Sequence, residues 1–260
     1  MKKIIWNNIK GIILDMDGVI YLGNSRIKSA IKAIKIWRRK NIQVCFLTNN
    51  STKNQLQFAK KLKLMGLSVK KESIISTSFA TANYLKENFN SKSKVYVLGS
   101  TALKKAIYDN GFIYNENNAD VVVVGLDSKI SYKKLHIASK LIRNGAKLIG
   151  TNSDKLYPGD KDFMPGAGST VEFIRAASYN AKCFFVGKPN PYFVNSAIQY
   201  LKLDKKNVIL IGDQLETDIL AANDSKIPSI LVSTGVKNIN KKIKPSMIVN
   251  SLMRLPISKN

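Results

Sequence analysis

Two aspartates, Asp15 and Asp17, stand two residues apart directly after the apolar stretch 11–14, and Gly18 then turns the chain away. Carboxylates just beyond a strand end lie where α/β sheets bind ligands. There they can hold a cation, attack an electrophile or exchange a proton. Asp and Gly are equally at home in a plain turn, so the pair needs partners before it means chemistry. Three other segments offer them. Phe46-Leu-Thr-Asn-Asn-Ser-Thr52 closes a second apolar run and leads into a helical pattern. A hydroxyl, amides and helix N-terminal N–H groups together suit a phosphate. N-capping by Ser51 would explain one of these residues, not Thr48, Asn49 and Asn50 together. Gly187-Lys-Pro189 brings a lysine to a third strand end, where an ammonium can neutralise a phosphoryl oxygen and a carboxylate at once. Ile211-Gly-Asp-Gln-Leu-Glu-Thr-Asp218 places Asp213 after a fourth aliphatic run. Mg2+ takes oxygen ligands and commonly only one or two carboxylates, which Asp15 and Asp213 can supply. Asp218 also fits a first-turn acid favoured by a helix dipole. Each segment alone reads as a turn or a cap; four in order at strand ends read as one site.

The elements that must position these residues show in the apolar periodicity. Runs 10–15 and 42–48 read as buried strands, with Ala30, Ile31, Ile34 and Trp37 at helical spacing between them. Ser51 or Thr52 can cap a helix carrying Leu56, Ala59 and Leu62, ended by Gly66. Strand alternating with helix means βαβ units and a parallel sheet. The alternation resumes with strands at 183–186, 207–212, 229–232 and 247–249 and helices at 191–201 and 216–223. Between these blocks lie further strands, at 94–98, 120–125 and 147–150, and helices near 101–110 and 132–144. No repeat recurs at a fixed period.

Spacing sets the domain organisation. Asp15 to Thr48 is 33 residues, one strand–helix–strand crossover. Thr48 to Lys188 is 140, far too long for one. A second α/β domain is therefore expected at 77–182, inserted into a discontinuous core made of 1–76 and 183–260.

With these motifs in place, the sequence resembles the haloacid dehalogenase superfamily through Asp15-Met-Asp17-Gly18-Val19, Thr48, Lys188 and Gly212-Asp213 with Asp218. More narrowly it resembles the NagD-like branch, which includes p-nitrophenyl and phosphoglycolate phosphatases. That match rests on Leu47-Thr-Asn-Asn-Ser51, Gly150-Thr-Asn-Ser-Asp154, Pro165-Gly-Ala-Gly-Ser169, Val186-Gly-Lys-Pro189 and Gly212-Asp-Gln-Leu-Glu-Thr-Asp218. It departs from the branch at Gln214 and Ser153, neither of them a catalytic position. The resemblance implies an α/β fold: a Rossmann-like parallel-sheet core closed by an inserted α/β cap of the C2 type. It also implies that the Asp17 backbone carbonyl joins Asp15 and Asp213 as a Mg2+ ligand, and that the protein dimerises through the cap.

The chemistry expected is hydrolysis of small phosphate monoesters, among them p-nitrophenyl phosphate and phosphoglycolate-like, sugar or nucleotide monophosphates. Asp15 attacks phosphorus to form an aspartyl-phosphate. Mg2+ and Lys188 offset the charge, and Thr48, Asn49 and Asn50 hold the phosphoryl oxygens. Asp17 protonates the leaving oxygen and then activates water. Asp218 orients Lys188 or a Mg2+-bound water. In the cap, Asn152, Asp154 and Lys155 are candidate substrate contacts, with a turn beside the hinge as the alternative. Pro165-Gly-Ala-Gly-Ser169 reads as a tight helix entry rather than a phosphate loop. His136, the only histidine, lies mid-helix and reads as structural or exposed. A phosphotransferase or mutase would use the same groups and replace water with another acceptor.

Composition narrows the alternatives. With 45% hydrophobic and 23% charged residues the chain is ordinary globular protein. No apolar run nears the ~18 residues needed to span a bilayer, and the run before Asp15 is too short for a signal peptide, so a cytoplasmic location is expected. The 42 basic and 17 acidic residues give +25. That charge would suit a nucleic-acid binder, yet the lysines are scattered and no basic run is interleaved with aromatics. A solvated surface is the better reading, with a field that favours anionic substrates. Cys45 and Cys183 sit in apolar strand-like runs and read as buried structural thiols.

Overall fold

A computed structural model describes residues 3–158, 162–234 and 242–258 of the chain. Its chain forms two compact units: Met1–Thr48, Leu56–Ile75 and Lys188–Asn260 make the first, Asn49–Gln55 and Ser76–Gly187 the second.

The first unit is built on strands of nearly unbroken aliphatics, as expected where helices cover both faces of a parallel sheet. Its six strands run in the order Met247–Val249, Ser229–Val232, Val208–Gly212, Gly11–Asp15, Gln43–Thr48, Ile74–Ser76. The four pairings from Met247–Val249 across to Gln43–Thr48 are parallel. Gly11–Asp15 lies at the middle, wholly buried, with neighbours added on opposite sides. That reversal of strand order opens a ligand crevice at the carboxyl ends. Register places the chemistry: Asp15 stands opposite Leu47 on one side, and Leu14 opposite Ile211 on the other. Asp15, Thr48 and Asp213 therefore leave the sheet at one level.

The helix Lys28–Arg39 buries Ala30, Ile31, Ala33, Ile34 and Trp37, the face its spacing implied. Pro191–Leu201 starts on proline, is capped by Asn190, whose side chain accepts from the Tyr192 N–H, and ends at a left-handed Lys202. The helix expected from Ser51 or Thr52 begins instead at Gln55 and runs to Leu64, burying Phe58 and Leu62 while Leu56 is 50% exposed. The delay has a local cause: the Asn50 side chain accepts from both the N–H and the hydroxyl of Thr52. That Asx turn offers the backbone an alternative to helix. A short hairpin, Tyr21–Leu22 with Ser25–Arg26, follows Asp17 and was not expected from the sequence.

The second unit carries its own five-stranded sheet, in the order Cys183–Phe185, Lys147–Gly150, Val121–Val124, Lys94–Leu98, Ile113–Tyr114, all parallel. The 183–186 run, read from sequence as the outer block resuming, thus pairs with Lys147–Gly150 instead. Cys183 there is only half-buried, whereas Cys45 in the first unit is fully buried; both are free thiols. Three helices of this unit, Thr77–Asn88, Thr101–Tyr108 and Tyr132–Arg143, start on a serine whose side chain accepts a backbone N–H of the first turn. His136 is exposed on the last of these. Among the described residues, no helix is long and apolar enough to cross a membrane.

Candidate active site

In the first unit, residues at and beyond the carboxyl ends of two neighbouring strands, Gly11–Asp15 and Val208–Gly212, meet on one buried lysine. Lys188 is 3% exposed, and its ammonium donates to Asp15 Oδ1 and, at 2.6 Å, to Asp218 Oδ1. Asp218 is buried on the π-helical turn Leu215–Ile219, and its other oxygen accepts from the Gln214 N–H at 3.2 Å. Asp15, Asp213 and Asp218 each present an oxygen within 4.8 Å of the others, and all three are buried.

Such packing has an electrostatic consequence. Burial pushes the Asp15 carboxyl well above the usual range, the Lys188 charge pulls it down, and Asp218 and Asp213 push it up again. Burial alone would lower the Lys188 ammonium, but Asp15 and Asp218 outweigh it and hold the proton firmly. Three carboxylates thus crowd round one ammonium, and like charges this close resist joint ionisation. A further cation would relieve the conflict. The donor set is all oxygen, which suits a hard divalent ion such as Mg2+.

Two glycines make room for the cluster. A Cβ on Gly18 would lie 2.3 Å from Asp213 Oδ2, and its φ of +81° is left-handed besides. A Cβ on Gly212 would lie 2.1 Å from Asp218 Cγ. Thr234 fixes the Gly18 carbonyl with a 2.6 Å hydrogen bond from its hydroxyl. Gly18→Ala is therefore expected to displace Asp213 and raise the Mg2+ concentration needed for half-maximal turnover by roughly 10–100-fold, the usual cost of misplacing a metal ligand's support. Mg2+ titration of the variant checks this; an unchanged requirement would detach Asp213 from metal binding.

Asp17 sits apart from the three-carboxylate cluster. Its side chain reaches solvent, and Oδ1 accepts from the Gly23 N–H at 3.4 Å. Surrounding protein nevertheless raises its carboxyl, partly offset by that hydrogen bond and by Lys61. Lys61 pins the same hairpin, donating to the Gly23 carbonyl at 2.9 Å while its ammonium lies 3.7 Å from the Tyr21 ring centroid. These supports had no signal in sequence, since Lys61 is one of many lysines.

Thr48 is buried at the end of Gln43–Thr48. Asn49 and Asn50 follow it in the chain, but their side chains bond within the second unit. The Asn49 amide donates to both Asp154 oxygens at 3.2 and 3.1 Å. The Asn49 backbone carbonyl accepts from the Asn152 amide at 2.8 Å and the Thr77 hydroxyl at 2.7 Å. Asn152 and Asp154 are thus joined to Asn49 across more than a hundred residues of chain. Lys155 is exposed, and its carbonyl accepts from the Gly166 N–H and the Ser169 hydroxyl. The Pro165–Ser169 motif clasps this loop. A Cβ on Gly166 would lie 2.1 Å from the Asp154 carbonyl oxygen, and one on Gly168 2.3 Å from that of Ser153. The N–H groups of both glycines are taken by loop carbonyls, so the motif is no phosphate cradle.

The chain is similar to known proteins along most of its length. Residues 12–113 match the haloacid dehalogenase-like hydrolase family model, and residues 185–255 a HAD-hydrolase-like one. The chain is 36% identical over 230 residues to an acid sugar phosphatase of Staphylococcus haemolyticus, covering 88% of this chain and 87% of the relative. The solved 4-nitrophenylphosphatase of Thermotoga maritima superposes with a TM-score of 0.88 at 30% identity, covering 95% of each chain. NagD of E. coli K-12 gives 0.88 at 29%, covering 96% of this chain and 99% of that one.

Proposed function

The chain belongs to the haloacid dehalogenase-like hydrolases as a phosphatase of the NagD and p-nitrophenyl phosphatase branch, and we propose that it hydrolyses small sugar phosphates through an aspartyl-phosphate on Asp15. The observation that carries this reading is the ammonium of Lys188 held between Asp15 and Asp218, beside Asp213. A carboxylate fixed by a permanent cation cannot drift, and its free oxygen can face phosphorus.

In this mechanism an Asp15 oxygen bonds to phosphorus as the ester P–O bond breaks. The leaving oxygen takes a proton from Asp17, whose raised carboxyl favours holding one. Asp17 then takes a proton from water, which attacks phosphorus and releases Asp15. Lys188 and the Thr48 hydroxyl stabilise the phosphoryl oxygens throughout. Asp15, Asp213 and the Asp17 carbonyl would hold Mg2+, which supplies the charge neutralisation a dianionic ester requires. Asp218 holds Lys188 in place.

Asn49 and Asn50 take a different place in this account from phosphate ligands. Their side chains are engaged in the Asp154 clamp and the Asx turn. We assign substrate choice to loop 151–155 of the second unit, a cap in this reading. With Asn152 and Asp154 joined to Asn49, Lys155 is the candidate there to select by charge.

The names of the relatives point to sugar phosphates and p-nitrophenyl phosphate. A panel of phosphate esters with Mg2+, repeated after chelation, tests the proposal. Turnover is expected to be highest on sugar phosphates, to release inorganic phosphate and to vanish with EDTA. Preference for phosphoglycolate or nucleotide monophosphates would overturn the substrate assignment, and phosphoryl transfer to an added alcohol without phosphate release would favour a phosphotransferase.

A further inference from the structure

Outside the catalytic cluster, five cations of the first unit line a cleft of about 480 Å3. Its walls include Arg26, Lys28, Lys32, Lys35 and Arg39, and its apolar part Ile31, Ile36 and Met65. That volume is in the range of small-molecule sites. Four of the cations come from one helix, Lys28–Arg39, at positions i, i+4, i+7 and i+11, so they form a single stripe. The helix has no acidic residue to balance them, and Lys28 opposes the positive end of the helix dipole. Like charges one turn apart repel. Among the described residues, none of the five cations is ion-paired with a carboxylate. Arg26 is nonetheless held in place by a hydrogen bond from Nη1 to the Met65 carbonyl at 3.4 Å.

Repulsion left uncompensated inside a concavity calls for a polyanion. The stripe spans roughly 16 Å along the helix at 1.5 Å per residue, more than one phosphate can occupy. Ile31 and Met65 are nearly fully buried at 7% and 8%, so the apolar part is a firm wall suited to a ring or alkyl body. Among the described residues, no aromatic side chain lines the cleft, which removes the stacking platform of single-stranded nucleic-acid sites. We propose that this cleft binds an organic polyphosphate of the nucleoside di- or triphosphate type, separately from the catalytic cluster.

Calorimetric titration of the full chain with α,β-methylene-ATP, in chelator so that the catalytic cluster is metal-free, tests this. The wild type should show saturable one-site binding that weakens with salt. Lys32→Gln/Lys35→Gln keeps helix propensity and should weaken binding at least about tenfold, with p-nitrophenyl phosphate turnover unchanged. Lys86→Gln/Lys133→Gln removes the same charge from exposed positions on other helices and should weaken it less than about threefold. Arg26→Gln provides a second probe should the helix variant lose structure. Equal weakening by the two pairs would reduce the effect to net charge and overturn the site. Absence of saturable binding, full displacement by inorganic phosphate at equal concentration, or tighter binding of a single-stranded oligonucleotide would overturn it as well.

Discussion

Asp15→Asn is expected to reduce Mg2+-dependent hydrolysis of p-nitrophenyl phosphate by on the order of 10^4-fold or more, about 5.5 kcal/mol of transition-state stabilisation. The substitution keeps the size of the side chain and an oxygen that can accept from Lys188. It removes only the negative charge and with it the nucleophile. Folding should survive. Burial and two neighbouring carboxylates already make ionisation of Asp15 unfavourable, so a neutral amide suits the metal-free site. A melting midpoint close to that of the wild type, alongside absent turnover, separates lost chemistry from lost structure. Turnover retained within tenfold would remove Asp15 from the chemistry.

Lys188→Met acts on stability as well as rate. The ammonium donates to Asp15 and Asp218, which are both buried, and methionine leaves two carboxylates facing each other without a cation. Breaking a buried ion pair by removing one partner costs about 3–5 kcal/mol. For a chain of this size that is a fall in melting midpoint of roughly 6–20 °C. Turnover should fall by about 10^3-fold, because the phosphoryl oxygens lose a fixed positive charge. Lys188→Met/Asp218→Asn should recover part of the lost stability and little of the activity. That split distinguishes a cation that merely holds the fold from one that also meets the substrate. Full recovery of activity in the double variant would contradict the assignment of Lys188 to the phosphoryl group.

What sequence conveyed and what it withheld follow from the reach of each interaction. Strands such as Gly11–Asp15 and Val208–Gly212 are buried on both faces, so they are written as runs of aliphatics and are visible locally. The acids at their ends are visible with them. Cys183–Phe185 is apolar too, but which sheet it joins depends on Lys147–Gly150, a partner its own residues do not name. The Asn49–Asp154 clamp spans 105 positions and leaves no periodic trace. Short-range competition misled in another way. Asn50 draws Thr52 into an Asx turn, so the helix begins at Gln55 and turns Leu56 outward. At the site, the sequence named Asp15, Asp213, Asp218 and Lys188 and grouped them, by their place at strand ends, into one site. Only the fold shows Asp218 closing a three-carboxylate cluster, and Asp17 standing apart from it on Gly23. The glycine requirement at positions 18 and 212 is likewise steric, set by side chains that arrive from elsewhere in the chain.

In the proposed mechanism Asp15 carries the phosphoryl group. Rapid mixing with excess substrate, an acid quench and borohydride reduction before tryptic digestion test it most directly, because acyl phosphates survive acid and are reduced to the alcohol. Homoserine is expected in place of Asp15 in the peptide from Gly11 to Arg26, formed within one turnover and absent without Mg2+. A phosphorylated residue elsewhere in the chain, or turnover with Asp15 never modified, would contradict it.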